Sequence, residues 1–299
     1  MSNTKEKTHF YVNDVKVVGY FHRPSGTDNK SLPVVVMFNG FATEWHFGTQ
    51  AYIDAFNSLG LATFNFDYRG FGDSESVDGL RQLLDIPGQL DDCRAAMEHV
   101  KSQPWVDDAK LVVWGSSLGG GHAISIASEY ALAAMIAQVP HCCSHAAFKR
   151  IKLSAVLKGM SLAIADKLGG YLGKKPIYLP VVAQPERYGV MNHPHWEEHY
   201  LNLAAGSHTW KNQIVARSLL LGGNYRPMLV ASKITCPSLL VAGELDAGVP
   251  IESVKQTAQS IPNSECYTYN GDHFEVYHGE KRDDIIRAQL DFLRPLVCE

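Results

Sequence analysis

Residues 111–121 read LVVWGSSLGGG, an apolar run that leads into two serines enclosed by glycines. A short apolar run bounded by glycine is typical of a buried strand, and helical spacing follows over residues 120–130. Gly115, Ser116, Ser117, Leu118 and Gly119 fit the pattern G-x-S-x-G, in which small flanking residues permit a strained turn that exposes the central hydroxyl. The stretch therefore predicts strand, sharp turn and helix, with Ser117 as a nucleophile. The competing interpretation is a glycine-rich strand–helix turn without chemistry.

A serine hydroxyl needs a base before it can attack a carbonyl, and the sequence offers one downstream. The loop GELDAGVP places Asp246 after a buried strand pattern, and YNGDHFE places His273 after the next strand. Serine, acid and histidine then follow the chain order of the α/β-hydrolase triad. We expect His273 to take the proton from Ser117, and Asp246 to hold the imidazole in the correct tautomer. Glu244 is the rival acid, and Ser116 is the rival hydroxyl, which we expect to point away.

Two backbone N–H groups are candidates for an oxyanion hole, the pair of donors that stabilises the negative oxygen of an acyl-transfer intermediate. One belongs to Leu118, the residue after the predicted nucleophile. The other belongs to Phe41 in the loop NGFATEW, where Asn39 and Gly40 set a turn after the strand pattern VVVMF.

Strand and helix patterns alternate from about residue 33 to 140, which predicts an α/β fold with a mostly parallel sheet and helices on both faces. Asn13 and Asp14 separate two strand patterns and predict a hairpin. From 141 to 232 the pattern is helical or irregular, and strand-like runs are missing. The sheet pattern then returns. We expect residues 1–140 and 233–299 to form one core and residues 141–232 to form a helical cap insertion.

Composition limits the classes of function. The chain has 299 residues, 45% of them hydrophobic and 19% charged, and a net charge of −4. We therefore expect neither a nucleic-acid nor a membrane partner. No apolar run reaches 18 residues, and the N-terminal stretch lacks the apolar core of a signal peptide, so we expect a cytoplasmic protein. The six cysteines lack a C-x-x-C pair and are expected to be reduced thiols.

Other motifs are weaker. Neither a dinucleotide fingerprint nor a P-loop occurs, so we expect no cofactor. HWEEH, from His195 to His199, matches the inverted zinc pattern H-x-x-E-H, but a third ligand is missing downstream and we expect no metal. Asp67 and Arg69 are expected to form a structural ion pair, and Asp73 to be a turn residue. Six aromatic residues of the middle stretch fit either an acyl pocket or the core of the cap: Tyr171, Tyr178, Tyr188, Trp196, Tyr200 and Trp210.

Taken together, FNGF, DYRGFGDS, GSSLGG, GELDAGVP and GDHF resemble the α/β-hydrolase superfamily over residues 38–274. The spacing and the stretch YLPVVAQPERYGVMNHP resemble a capped subgroup that includes bacterial acyl hydrolases and fungal hydrolases or transferases of polyketide pathways. The resemblance implies an acyl-enzyme on serine. Many relatives carry His-Gly in the oxyanion loop, whereas this chain has Asn39-Gly40, so side-chain contacts there are expected to differ.

The sequence thus predicts a serine hydrolase for an ester or thioester with a small to medium acyl or polyketide-type group, free or carrier-bound. Two alternatives stay open on the same residues. One is acyl transfer to an alcohol or amine, and the other is cleavage or formation of a C–C bond with the triad as base. A non-catalytic binder that kept the fold is a third. The oligomeric state is open, with a homodimer as one option.

Overall fold

The computed structural model describes residues 4–27, 31–149 and 151–296. Eight strands of this part form one sheet in the order β1-β2-β4-β3-β5-β6-β9-β10. Pairing is parallel from β4 onward, and β2 pairs antiparallel with both β1 and β4. The strands are β1 (Thr4–Val12), β2 (Val15–Arg23), β3 (Leu32–Phe38), β4 (Ala62–Phe66), β5 (Val106–Ser116), β6 (Ala134–Gln138), β7 (Tyr178–Leu179), β8 (Ile214–Val215), β9 (Ser238–Gly243) and β10 (Ser264–Tyr269). The predicted mostly parallel α/β sheet is confirmed.

The α-helices alternate with the strands in the order that the sequence predicts. They are α1 (Gln50–Ser58), α2 (Ile86–Lys101), α3 (Leu118–Ala127), α4 (Ser144–Phe148), α5 (Leu153–Tyr171), α6 (Trp196–Leu203), α7 (Ser218–Leu221), α8 (Ile251–Ser260) and α9 (Gly279–Leu293). The predicted hairpin is present, since Asn13 and Asp14 both take positive φ between β1 and β2. Such paired left-handed residues match the twist of the two strands that they join.

Helices cover both faces of the sheet. Along β3, Val34 and Val36 pack into one hydrophobic cluster and Val35 and Met37 into another, because alternate side chains of a strand point to opposite faces. Residues of α2, α3 and α8 join the first cluster, and residues of α1 and α9 join the second. The central strands are therefore buried on both faces, which explains their continuous apolar sequence.

The chain leaves the sheet after β6 and returns at β9. The segment between them, called here the middle segment (residues 139–237), carries α4 to α7. The expectation that it lacks strands is wrong, because β7 and β8 form a two-residue antiparallel pair. A strand of two residues is too short to show the period-two pattern that betrays strands in a sequence. The division into core (1–140, 233–299) and cap (141–232) stays a prediction. A bilayer-spanning helix is absent from the described part of the chain, where every helix is too short or too polar for that role.

Candidate active site

Ser117 lies in the sharp turn between β5 and α3, with φ 58° and ψ −119°. This conformation is strained for a residue with a side chain and persists only where the surroundings enforce it. The glycines on either side permit the turn. A Cβ at Gly115 would overlap the carbonyl of Gly119, and a Cβ at Gly119 would overlap the carbonyls of Phe38 and Asn39. The pattern G-x-S-x-G is thus explained by close backbone packing at the ends of β3 and β5.

The structure brings Ser117, His273 and Asp246 together. Ser117 Oγ lies 3.0 Å from His273 Nε2, and His273 Nδ1 lies 2.6 Å from Asp246 Oδ2. Asp246 Oδ1 accepts hydrogen bonds from the N–H groups of Gly248 and Val249, both at 2.8 Å. These bonds fix the carboxylate, which in turn fixes the imidazole with Nδ1 as donor and leaves Nε2 free to accept a proton.

The two rival residues are placed elsewhere. Glu244 is exposed, whereas Asp246 is buried beneath the imidazole. Ser116 Oγ lies 2.7 Å from the hydroxyl of Tyr277 and accepts a hydrogen bond from the Gln138 amide at 3.1 Å. The Ser116 hydroxyl therefore bonds to Tyr277 and Gln138 rather than to His273, although Ser116 also borders the cavity beside Ser117.

The environment of His273 favours its charged form. Burial lowers the pKa of the imidazole, but the charge and hydrogen bond of Asp246, together with the charge of Asp272, outweigh burial and leave the pKa above its usual 6.5. A histidine whose pKa is raised by neighbouring carboxylates is well suited to accept a proton from a hydroxyl.

The two predicted oxyanion donors differ in how they relate to the cavity. Phe41 lines the cavity that contains the Ser117 and His273 side chains, and Leu118 begins α3. Within the described residues, neither N–H has a hydrogen-bond acceptor. Asn39 does not face this cavity as a donor, because its amide donates to the carbonyl of Phe66 inside the core. An oxyanion hole requires unpaired N–H donors of this kind, and the assignment of Phe41 and Leu118 to it stays a prediction.

Three aromatic side chains of the middle segment contact residues of the site. The sequence alone did not decide whether they line a pocket or fill the core of the cap. The Tyr200 hydroxyl donates to the carbonyl of Phe41 at 2.7 Å, and the Trp210 indole donates to that of Ala42 at 2.8 Å. Both bonds fix the loop that carries the predicted oxyanion donor. Trp196 packs its ring 5.5 Å from the ring of His273. In contrast, Tyr171 is exposed and lies far from any such role.

Asp272 is a site residue that sequence reasoning missed. Its carboxylate accepts hydrogen bonds from the Trp196 indole at 2.7 Å and from the N–H of Ala247 at 3.1 Å. It also caps the short 3₁₀ helix that begins at His273, through a capping box with Glu275. The pattern D-x-x-E at residues 272–275 was the available signal, because it is typical of a helix start.

The cavity beside Ser117 is small, about 30 Å³, and mostly apolar. Carboxylates are absent from its described lining, which consists of Phe38, Asn39, Gly40, Phe41, Thr43, Phe47, Thr49, Trp114, Ser116, Ser117, Met191, Tyr200, Leu203, His273, Phe274 and Tyr277. The lining favours an uncharged, apolar group next to the hydroxyl, and a volume of about 30 Å³ holds only a small part of such a group.

The expected ion pair between Asp67 and Arg69 is wrong. Arg69 pairs with Asp92 at 2.6 Å, while Asp67 accepts the N–H groups of Trp45 and Asp73. Both residues lie beyond the end of β4, and Arg69 is already in the turn that follows, so strand geometry does not hold the two side chains together. Asp73 is more than a turn residue, since it binds the ammonium of Lys7 at 2.6 Å and the hydroxyl of Tyr20.

The HWEEH stretch begins α6. His195 is exposed in a left-handed conformation, and His199 stacks on Phe274 and His278. Over the described ranges, histidine, cysteine and acidic side chains do not gather in any group of three that would hold a metal ion. Five cysteines of the described chain are free thiols: Cys93, Cys142, Cys143, Cys236 and Cys266. Cys298 lies outside the described residues.

The family described as serine aminopeptidase, S33, matches residues 29–278. The quorum-quenching protein AidA of Acinetobacter baumannii is 36% identical to this chain over 96% of the chain and 94% of the relative. The polyketide transferase ATR5 of Stachybotrys chlorohalonatus is 24% identical, with 98% of each chain covered. Among solved structures, DcsB in complex with a substrate analogue superimposes with a TM-score of 0.85 at 23% identity, covering 99% of this chain and 100% of DcsB. The resemblance that the sequence motifs carry is thereby confirmed.

Proposed function

The chain belongs to the serine aminopeptidase S33 family of α/β-hydrolases, and on this premise we propose that it is a serine acyl hydrolase. Its substrate is an ester or thioester with a small to medium apolar acyl group, free or carrier-bound. The observation that carries the proposal is the chain of contacts from Ser117 Oγ through His273 to Asp246, at 3.0 and 2.6 Å. We also place the enzyme in the cytoplasm.

The reaction proceeds in two halves. Ser117 Oγ attacks the carbonyl carbon while His273 Nε2 takes the hydroxyl proton. The N–H groups of Phe41 and Leu118 hold the oxyanion, and His273 then gives its proton to the departing alcohol or thiol. In the second half His273 takes a proton from water, the resulting hydroxide attacks the acyl-enzyme, and the proton returns to Ser117 as the acid leaves. No group beyond the side chains, the two N–H groups and water takes part.

Esters and thioesters fit the cavity better than aminopeptidase substrates do. An aminopeptidase must bind a free α-ammonium group, and a buried cation requires a paired anion. The described lining of the cavity offers no carboxylate for that purpose. Its apolar walls, which include Phe41, Phe274 and Met191, suit the hydrocarbon part of an acyl group instead.

Acyl transfer is the second candidate, and the likeness to a polyketide transferase over 98% of each chain favours it. Transfer uses the same residues and differs only in the acceptor that reaches the acyl-enzyme. An alcohol or amine would then replace water in the second half. The product distinguishes the two reactions, because transfer yields a new ester or amide and hydrolysis yields a free acid.

The test is a panel of aryl esters, acyl thioesters, a lactone and an aminoacyl anilide, run on wild type and on Ser117→Ala. The lactone, a cyclic ester, is included because a full-length relative is named a quorum-quenching protein. We expect turnover of uncharged esters or thioesters and a loss of at least about 10³-fold in Ser117→Ala. Cleavage of the anilide alone would contradict the proposed substrate class. Substantial turnover that survives in Ser117→Ala would contradict the acyl-enzyme and favour direct attack by water with His273 as base.

A further inference from the structure

Exposed apolar side chains are concentrated on one helix. Of the fourteen large hydrophobic residues that are exposed in the described chain, eight fall within residues 151–172. Seven of them form one line along α5 and its C-terminal cap, called here the α5 stripe: Leu153, Leu157, Met160, Ile164, Leu168, Tyr171 and Leu172. Steps of three and four residues keep this line on one side of a helix. Apolar residues with this spacing normally face a protein core. Where they face solvent instead, they indicate a surface that binds a partner.

The rotation of α5 is fixed by its opposite side. Gly159, Ala163 and Asp166 are the buried residues of the helix. The Asp166 carboxylate accepts hydrogen bonds from the Arg217 guanidinium at 2.6 Å and from the N–H of Ile177 at 2.7 Å. A rotation of α5 that buried the stripe would separate the Asp166 carboxylate from Arg217 and from the N–H of Ile177. The stripe can therefore be covered only by a second molecule.

The size of the stripe matches a protein interface. The seven side chains are between 37% and 78% exposed. These fractions correspond to on the order of 900 Å² of exposed residue surface per chain, which is the most that a contact on the stripe can bury, and each partner in a standard interface buries roughly 800 Å². The largest apolar patch on a typical monomer is smaller, roughly 300–600 Å².

The order of residues in the stripe is compatible with a two-fold axis. If two copies of α5 pack antiparallel with the axis between Met160 and Ser161, Leu153 lies level with Leu168 of the other copy and Leu157 with Ile164. A two-fold interface requires this reciprocity, in which each contact occurs twice. The same register sets Lys167 level with Ser154 rather than with another lysine. Lys158 is kept off the stripe, because its ammonium lies 4.7 Å from the centre of the Tyr188 ring.

We propose that α5 is the interface of a homodimer in which two copies of the helix pack antiparallel about a two-fold axis near Met160. A basic apolar helix also suits an anionic lipid surface, and the two occupants respond to salt in opposite ways. Salt screens the lysines that flank an apolar dimer interface and strengthens it, whereas salt weakens binding to anionic lipid.

The first experiment measures the oligomeric state by sedimentation velocity across protein concentration and salt. The variants are Leu157→Glu and, as a matched control, Leu229→Glu, since both leucines are 62% exposed and Leu229 lies off the stripe. We expect wild type and Leu229→Glu to be dimers that tighten with salt, and Leu157→Glu to dissociate at least about tenfold more readily. Ile164→Glu repeats the test if Leu157→Glu does not fold. A wild type that is monomeric throughout, or a dimer that Leu157→Glu and Ile164→Glu leave intact, overturns the proposal. Monomers that cosediment with phosphatidylserine vesicles overturn it in favour of a lipid surface.

The second experiment tests the register by disulfide formation under mild oxidation. In Met160→Cys the two sulfurs lie beside the axis, within reach of each other. In Leu153→Cys the two sulfurs lie about 22 Å apart along the helix, at 1.5 Å per residue. We expect covalent dimers from Met160→Cys well above the background set by wild type, whose Cys266 is exposed. Equal cross-linking of both variants, or of neither, overturns the antiparallel register.

Discussion

At the scale of single residues, the charge of His273 depends on two carboxylates. Asp246 contacts the imidazole directly, while Asp272 acts through its charge and is held by Trp196 and Ala247. Both raise the pKa of the imidazole against the effect of burial. Since only neutral His273 accepts a proton from Ser117, activity should fall as the pH drops through this raised pKa.

Replacing Asp272 by asparagine should therefore move the acid limb of the pH profile of kcat/KM. The variant removes one charge that favours protonated His273, so we expect the limb to shift to lower pH by up to about one unit. Trp196→Phe is the matched control, because it removes one hydrogen bond to Asp272 and leaves the charge in place. Rates of ester hydrolysis across pH give the comparison. An acid limb that stays fixed in Asp272→Asn, or moves equally in both variants, would show that the charge of Asp272 does not act on His273.

The sequence predicted three of these residues and not the others, for a physical reason. Ser117, Asp246 and His273 occur in local patterns that reflect local backbone needs, such as the glycines around the turn. Trp196 and Asp272 contact each other across 76 positions of the chain. A contact between distant segments leaves no pattern in either one. Ser116 was set aside because of its position in G-x-S-x-G, and Glu244 because D-x-x-V-P favours Asp246. In the structure the Ser116 hydroxyl bonds to Tyr277, and Glu244 is exposed.

At the scale of elements, the site depends on how closely α3 approaches the ends of β3 and β5. The helix begins directly after Ser117, and Gly119 in its first turn leaves no room for a side chain beneath the carbonyls of Phe38 and Asn39. The loop that carries Phe41 continues from this point. Any displacement of Asn39 is therefore passed to the predicted oxyanion donor two residues later.

Gly119→Ala should lower both stability and kcat. The added Cβ has to push the β3–loop backbone aside, at a cost of roughly 1–3 kcal/mol in the free energy of unfolding. Gly169→Ala on α5 is the control, since its Cβ meets only ordinary contacts with Lys174, and alanine favours a helix by up to about 1 kcal/mol. Urea unfolding and ester kinetics are measured for both variants. A Gly119→Ala enzyme as stable and as fast as wild type would refute the close approach.

The prediction of helices and strands succeeded where the pattern of apolar residues reflected how the element is buried. The central strands are buried on both faces, and their apolar runs ending in glycine were readable. The middle segment was not readable in this way, because its contacts to the site are made by isolated aromatic residues, such as Tyr200 in α6 and Trp210 in irregular chain. Whether these side chains lined a pocket or filled a core depended on the positions of other segments.

At the scale of the whole molecule, three histidines make the fold sensitive to acid: His22 and His122, which are buried, and His141, which is half-buried. Burial lowers the pKa of His122 to about 3, and that of His22 to about 4. Burial and the charge of His273 lower that of His141 to about 4. Unfolding returns each group to its ordinary pKa near 6.5, so the unfolded chain binds more protons between these values. The contribution that these neutral histidines make to the free energy of unfolding is therefore fully present above pH 6.5, and it is lost as the pH falls towards 4.

Between pH 7 and pH 5 the neutral burial of His122 should remove about 2 kcal/mol from the free energy of unfolding. Burial raises the pKa of Asp67 to about 7 and that of Asp92 to about 6, and these two carboxyl groups act in the opposite direction over the same range. In His122→Gln the loss should be smaller by about this amount, because glutamine does not titrate. The side chain at 122 otherwise lies among neutral partners, the hydroxyl of Tyr225 and the amide of Gln89. Urea unfolding at both pH values gives the comparison. An equal loss in wild type and variant would contradict neutral burial of His122.

The central claim is that the hydroxyl of Ser117 is the nucleophile, and mass spectrometry of the intact protein after treatment with a fluorophosphonate tests it most directly. The account predicts one adduct per chain, mapped by peptide sequencing to Ser117 rather than to Ser116, and none in Ser117→Ala. A folded wild-type protein that takes up no adduct, or that carries it on another residue, would contradict the account.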